Sequence, residues 1–486
     1  MTRDELLELV ANVKKLKSET STLEIKTAAS GCPKRLYDTF SSFSNQDEGG
    51  IILFGISEEA GYRETGVYDA ADLQKKINEQ ALQMEPVVRP LLTVAEKDGK
   101  VFVSAEIPGL DISERPCFYK GHGRMKGSFV RVGDSDEQMT EYEIYSYENF
   151  RKKHMDDIRP VKPIEEAYLD DALINVYVDK LTHNRPNFSH LEKDEILKLK
   201  SIVKDGQVTI SGLFMFGNYP QMFFPQLCII ATAVPGTQMG ELGETKERFI
   251  DSRRIEGNIR QMLEEAIQFV RHNMKTKTII DPVTGMREDR SEYPITAVRE
   301  VLLNALLHRD YSVHTEGMPI QLIMYANRIE VRNPGGLYGR TKASELGKVQ
   351  PDTRNPVLAN GLETLGLTEN RYSGIPTIRR MMKEQGLPEP VFSDERGSFV
   401  VTLFKEQKKD SLPEHPKNER SGNIEKDLAE YCRSPRTRDE ICEYLQLQSK
   451  SYVVNKYILP LVDAGILKLT LPDVPRSTKQ KYVAAM

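Results

Sequence analysis

The segment Tyr293-Pro-Ile-Thr-Ala-Val-Arg-Glu300-Val-Leu-Leu-Asn304-Ala-Leu-Leu-His308-Arg-Asp-Tyr311 decides how this chain is read. Val298, Val301, Leu302, Ala305 and Leu306 recur at helical spacing, while Glu300, Asn304 and His308 fall at i, i+4 and i+8 on one stripe. The pattern predicts a helix beginning within a residue or two of Pro294, which suits a first helical turn. One face is expected to pack and the other to offer a carboxylate, an amide and an imidazole.

Working outward, residues 320–325 and 328–332 alternate as two strands joined at Ala326-Asn327, and the second runs into Asn333-Pro334-Gly335-Gly336-Leu337. Beyond lie Arg354-Asn355-Pro356, then Tyr372-Ser373-Gly374-Ile375, a helix at 377–384 and a strand at 398–403. Upstream, helical patterns occupy 170–181 and 193–199. Residues 206–212 read as turn and strand, 214–225 and 227–234 as strand-like apolar runs, and 255–274 as a long amphipathic helix. Gly335 and Gly336 let backbone approach a ligand, and Ser373-Gly374 opens a helix whose first N–H groups suit a phosphate.

In this order E-x3-N-A-x-x-H-R-D-Y, R-I-E-V-x-N-P-G-G-L, T-R-N-P and S-G-I resemble the RecG-like C-terminal ATP-binding domain of transcriptional regulators, a relative of the GHKL ATPases. The resemblance spans about 165–405 and implies ATP and Mg²⁺ as cofactors. In its terms Glu300 is the catalytic residue that orients or deprotonates water, Asn304 ligates Mg²⁺, and His308 contacts a phosphate. The spacing fits, because groups at i and i+4 face one site and Mg²⁺ takes few protein oxygens beside phosphates and waters. Asn333 stands where the GHKL pattern has the adenine-reading aspartate of D-x-G-x-G. Its side-chain oxygen can still accept the adenine amino proton, with weaker charge. Binding is therefore expected first, and weak Mg-dependent hydrolysis second. The other reading leaves Glu300 and Asn304 on a solvated helix face. No G-x4-G-K-[ST] occurs, which excludes a helicase motor, and His308-Arg309-Asp310 is no kinase loop because Thr315 stands where that loop needs asparagine.

Near the start, residues 1–17 read as a helix, 18–26 as a strand with Leu23 and Ile25 on one face and Glu24 and Lys26 on the other, and 34–44 as a helix. A breaker at 45–50, a buried strand at 51–56, a helix near 70–84 and strands at 101–107 and 127–133 complete a domain over 1–150. Glu19-x4-Glu24-x-Lys26, then Phe43-x-Asn45 with Gly49-Gly50 and Gly55, then Ser128-Phe-Val-Arg131-Val-Gly133 are together similar to the Schlafen-type Alba-like domain. That resemblance, over roughly 15–140, implies contact with DNA or RNA, for which Lys26 and Arg131 are the candidates. It also implies an alternative function, a metal-dependent nuclease using Glu19 and Glu24, with Glu58 or Glu59. Clustered carboxylates suit hard cations held against phosphate. The competing reading has Glu24 and Lys26 merely solvating a strand face.

Residues 150–165 read as a connector and 406–423, polar with two prolines, as a flexible linker. The tail, 424–486, shows helices at 424–432, 438–445 and 449–464, the second opened by the capping box Thr437-x-x-Glu440, and a two-stranded ribbon of 466–471 with 480–484. This layout, with Ser477, Gln480 and Tyr482, resembles the winged helix-turn-helix of the same regulators. The resemblance implies that the third helix meets DNA through Lys450, Tyr452 and Lys456, and that Arg476, Lys479 and Lys481 mark the wing. Six Lys/Arg against two acids from 448 onward agree with it, although winged helices also serve protein contacts.

The expected fold class is α+β multidomain: an Alba-like α/β domain, a GHKL-like α/β sandwich and a winged helix. With 67 basic and 72 acidic residues the net charge is −5, so nucleic-acid binding requires a local patch. The 5 cysteines are scattered without C-x-x-C, against a zinc knuckle or disulfide framework and for a reducing cytoplasm. The first residues do not resemble a secretory signal, and the apolar runs are too short to span a bilayer. The chain is thus expected to be a cytoplasmic, ATP-binding and DNA-binding regulator without membrane contact, acting as a homo-oligomer.

Overall fold

The computed structural model describes residues 1–161, 168–280, 287–368, 373–405, 424–445, 453–470 and 480–484. Two compact units emerge, Met1–Gln407 and Lys408–Met486. No helix among the described residues is long and apolar enough to cross a membrane.

The first sheet of the larger unit is built from β1 (Leu23–Lys26), β2 (Gly50–Phe54), β3 (Leu91–Lys97) and β4 (Lys100–Ile107), in the order β1-β2-β4-β3. β1 lies parallel to β2, and the other pairs are antiparallel. Helix α1 (Arg3–Leu16), opened by a Thr2/Glu5 capping box, sends Leu6, Val10 and Val13 onto Leu23, Ile25, Leu53 and Phe102. Helices α2 (Tyr37–Ser44) and α3 (Ala70–Ala81) cover the opposite face with Phe40, Phe43, Leu73 and Ile77. Beyond them a hairpin of β5 (Phe129–Val132) and β6 (Ser135–Gln138) leads into α4 (Glu141–Lys152). A Thr140/Glu143 capping box starts α4 and Lys153, in the left-handed region, ends it. Much of what precedes the expected connector is therefore helix.

The second sheet has six strands. They are β7 (Ile229–Ala233), β8 (Asp251–Ile255), β9 (Ile320–Met324), β10 (Arg328–Pro334), β11 (Val391–Glu395) and β12 (Ser398–Phe404), ordered β8-β7-β9-β10-β12-β11. β7 and β9 are parallel, joined by a crossover that contains two helices, α5 (Ile259–Asn273) and α6 (Ile295–His308). α6 buries Ala297, Val298, Val301, Leu302, Leu303, Ala305, Leu306 and Leu307, so more than the expected single face is packed. At about 1.5–3 kcal/mol per large apolar side chain removed from water, these contacts fix the helix far more firmly than local propensity does. Glu300, Asn304 and His308 stay partly open, as do Ile295, Thr296 and Arg299 in the first turns.

Two stretches read as strand fold differently. Ile210–Phe216 is a helix with all seven residues buried, capped by Thr209, whose side chain accepts the Gly212 N–H. A continuous apolar run carries no period, so the buried helix and the buried strand look alike in sequence. Helices Pro356–Leu365 and Gly374–Glu384 bracket the segment whose residues 369–372, Tyr372 included, lie outside the described residues.

In the smaller unit, helices Ile424–Tyr431 and Arg438–Leu445 and a helical stretch over 454–463 surround Leu428, Ile441, Val453, Leu461 and Tyr482. Thr437 and Glu440 form the capping box: Thr437 N–H donates to Glu440 at 2.7 Å and Glu440 N–H returns to the Thr437 hydroxyl at 3.3 Å. The expected two-stranded ribbon is a three-stranded sheet, because Arg436–Thr437 pairs with Lys481–Ala484, which also pairs with Leu467–Leu469. The linker at 406–423 lies outside the described residues.

Candidate functional site

Helix α6 presents Glu300, Asn304 and His308 to a cavity of about 660 Å³ whose other walls come from β10, the residues following it, and the start of helix Gly374–Glu384. Gly374 locates the centre. A methyl group there would lie 3.1 Å from Asn304 Nδ2 and 3.2 Å from Glu300 Oε2, so both side chains converge on the backbone that begins the helix. Ser373, the N-cap, makes no capping side-chain hydrogen bond, which leaves the first N–H groups without that cap beside the cavity. Arg299 donates to Glu300 Oε1 at 3.0 Å and to the Leu367 carbonyl at 2.6 Å.

Asn333, the last residue but one of β10, has 5% of its surface exposed, and its Oδ1 is buried next to this cavity without a hydrogen-bond partner among the described residues. An unsatisfied buried amide oxygen is costly unless something completes it. Gly335 follows in a conformation open to glycine, with φ +97°, and a side chain there would strike Asp310 Cβ at 2.6 Å. The Gly335-Gly336 pair is thus required by the wall itself as well as by any approach of ligand.

His308 lines the cavity as a neutral imidazole. Burial, reinforced by the nearby Arg354 guanidinium, pushes its pKa down to about 4. A phosphate would therefore meet an N–H dipole there rather than a cation. Besides Arg299, two cationic residues that the sequence reading left without a role line the cavity. Arg380, on helix Gly374–Glu384, is exposed and has no ion-pair partner among the described residues. Arg354 is turned onto the wall itself: it pairs with buried Asp310, donates to the Gly336 carbonyl at 3.0 Å and stacks on Tyr338.

The rest of H-R-D-Y and T-R-N-P is scaffolding. Arg309 donates to the carbonyls of Thr315 and Met318, and the Tyr311 hydroxyl to that of Leu306 at 2.8 Å. Asn355 satisfies the helix end by donating to the carbonyls of Leu307 and Arg309 at 2.7 and 2.8 Å. Burial opposes the Asp310 charge, but Arg354 and the Ser312 N–H outweigh it and hold the carboxyl below its ordinary range.

Two family models match the larger unit. Residues 317–403 match "Putative ATP-dependent DNA helicase recG C-terminal", and residues 19–140 match Schlafen, AlbA_2. In the smaller unit, residues 426–483 match the C-terminal domain of filamentation induced by cAMP protein Fic-like. Among solved structures, the DIP2311 protein from Corynebacterium diphtheriae is 17% identical at a TM-score of 0.41, covering 99% of this chain and 97% of its own. The N-terminal domain of a "Putative ATP-dependent DNA Helicase RecG-related Protein" from Nitrosomonas europaea is 23% identical at 0.23, covering 29% of this chain and 94% of its own. No curated protein matches the chain.

Within the AlbA_2 region the expected site residues are placed differently from the expectation. Arg131, expected to face nucleic acid, has a side chain 1% exposed and bridges Glu24 and Asp136, at 2.9 Å each. Burial works against its charge, and the two carboxylates more than restore it. Glu24, 8% exposed, also pairs with Lys26, so it lies inside the fold rather than on a solvated strand face. Glu19 accepts the Ile25 N–H at 2.7 Å; burial, with Glu24 and Glu58 nearby, pushes its pKa up to about 7. Among the described residues no group of three or more His, Cys, Asp and Glu is placed to hold a metal ion.

In the Fic-like region, Lys481 is exposed at the start of its strand, while Gln480 and Tyr482 are buried. Lys450, Tyr452, Arg476, Ser477 and Lys479, and the side chain of Lys456, lie outside the described residues.

Proposed function

We propose that this chain is a nucleic-acid-binding protein, a DNA-binding transcriptional regulator, whose state is set by ATP in the cavity beside α6. The observation that carries the nucleotide reading is the convergence of Glu300 and Asn304 on the uncapped helix start at Ser373-Gly374. A triphosphate needs backbone donors, and the Mg²⁺ that accompanies it needs one or two protein oxygens. The donor set fits such an ion, since a carboxylate and an amide meet at one point and the remaining ligands would be phosphate and water. Bound there, Mg²⁺ would neutralise phosphate charge. The chain's own residues divide the remaining tasks: Asn333 Oδ1 accepts from the base, Arg380 reaches the phosphates, and Glu300 holds a water for slow hydrolysis.

Regulation has a physical route. The loop that walls the cavity after Gly336 also grips the AlbA_2 region, with Arg340 at 3.4 Å from Asp111 and Lys342 at 3.2 Å from Asp47, and α4 beyond it, with Tyr338 edge-on to Phe150. Tyr142 of α4 donates at 2.8 Å to Asp310, the ion-pair partner of the wall residue Arg354. A ligand that repositions this loop shifts those contacts as well.

Mg-ATP is expected to raise the melting temperature of the full chain, and Asn304→Ala to remove most of that shift. Glu300→Gln keeps the shift and loses turnover about a hundredfold. Nucleic-acid binding is measured by gel shift with single- and double-stranded DNA and RNA at several salt concentrations; no complex even at low salt would sink that half of the reading.

A further inference from the structure

The AlbA_2 region carries a second polar surface that uses neither Lys26 nor Arg131. Tyr37, at the start of α2, stacks on Tyr119 with ring centres 3.9 Å apart and planes at 13°. On the loop side the backbone of Gly121 lies so close to the Tyr119 ring that a methyl group there would be 2.5 Å from it. Tyr119 is thereby held as a rigid support. The exposed His122 ring sits edge-on to it at 4.9 Å. Two half-buried tyrosines and an exposed imidazole thus stand together at the rim of the core.

Cations from three segments surround these rings. Lys34 and Arg35 precede Tyr37, and Lys120, Arg124 and Lys126 flank His122. The short helix Gly123–Gly127 packs against both α2 and α4, which brings Arg151 and Lys152 of α4 to the same side. There Glu148 is shared among three cations: Arg124 bonds it directly, with Lys152 at 3.6 Å and Arg151 at 3.9 Å. Asp38 is paired with Arg35, and Glu85 lies on the strand beside Phe118. Seven cations from three segments are thus drawn together on a chain whose net charge is −5. Such a local excess beside exposed ring edges attracts a polyanion that also presents flat faces.

We infer that this surface binds single-stranded nucleic acid, its cations taking phosphates and the Tyr37/Tyr119/His122 cluster taking an unstacked base. The inference rests on the nucleic-acid reading above and specifies where contact occurs. A duplex keeps its bases stacked inside, so the rings favour a single strand, whereas the phosphate contacts are common to RNA and DNA.

The test uses the full chain and fluorescently labelled strands of about 12 nucleotides, RNA and DNA in parallel, with the matching duplex, at about 50 and 200 mM salt. Wild type is expected to bind either strand more tightly than the duplex. The triple reversal Lys34→Glu/Lys126→Glu/Lys152→Glu, all exposed positions, should weaken binding at least about tenfold and reduce the log–log salt slope by about 2. His122→Ala should cost about fivefold on single strands and little on the duplex. Melting curves establish that the variants fold. Wild-type binding that survives the triple reversal with an unchanged salt slope overturns this surface and leaves the broader reading standing. Equal affinity for duplex and strand, with His122→Ala silent, overturns the single-strand assignment. Failure of the wild type to bind any nucleic acid removes both.

Discussion

Glu24 and Glu300 each lie about 3 Å from an arginine, and the surroundings of the two pairs separate a fold element from a site. Arg131 is 1% exposed and divided between Glu24 and Asp136, so the group is closed and its charges are spent on one another. Arg299 is 35% exposed and Glu300 21%, and the carboxylate meets Asn304 at the edge of a cavity. A buried ion pair contributes little net stability but is expensive to break, whereas a half-open one keeps capacity for a ligand. Residue type alone does not distinguish them. What does is where the pair sits, shut inside the fold in the first case and bordering a cavity in the second.

The sharpest way to break this comparison lies on the cavity wall, where Arg354 and Asp310 form a closed pair next to the open one. Arg354→Ala would strand Asp310, whose side chain is 2% exposed, among groups arranged for an ion pair. A loss of about 3–5 kcal/mol is expected, seen as a lower melting temperature of the larger unit. Unchanged melting would show that the pair is as open as Glu300 and would undo the distinction between scaffold and site.

Gly374→Val tests the open side with a smaller effect. The added carbons would enter the space that Glu300 and Asn304 face, 3.1 to 3.2 Å from their side chains, while helix Gly374–Glu384 tolerates a side chain at its first position. Stability should stay within about 1 kcal/mol of wild type. Nucleotide affinity should fall by about ten- to a hundredfold, corresponding to an overpacking cost of about 1–3 kcal/mol. Calorimetric titration with Mg-ATP decides it, and retained affinity would place the nucleotide elsewhere.

Most of α6 was legible because two signals coincide in it, an apolar period near 3.6 and a polar stripe at i, i+4 and i+8. Four strands of its sheet, β7, β9, β10 and β12, were legible from apolar runs or alternation bounded by turn residues, whereas the edge strands β8 and β11, polar and exposed, carried no such signal. Arg354 was not. Its role depends on Asp310, Gly336 and Tyr338, which reach it only through tertiary packing, so T-R-N-P read as a motif without a task. Arg131 misled because a basic residue on a short strand looks exposed until Asp136, one hairpin turn later, folds back onto it. The helix at Ile210–Phe216 was hidden by complete burial, which erases periodicity. The Tyr37 surface was invisible because its cations come from three separate segments, none of them unusual alone.

The weakest effect probes the closed cluster from its rim. Glu19 has its pKa raised from 4.5 to about 7, chiefly by burial and then by Glu24 and Glu58. The folded chain therefore holds a proton that the unfolded chain has released between those values. Stability from this group is fully present below about 4.5 and is lost as pH rises through about 7. Glu19→Gln cannot ionise, and its side-chain oxygen can still accept the Ile25 N–H. The variant should melt with wild type near pH 4.5 and above it at about pH 8, the gap opening across the interval between. Solvent access to Glu19 keeps the gap modest. A gap that is constant with pH would mean that Glu19 titrates normally, and that the carboxylates of the first motif are as open to solvent as those of α6.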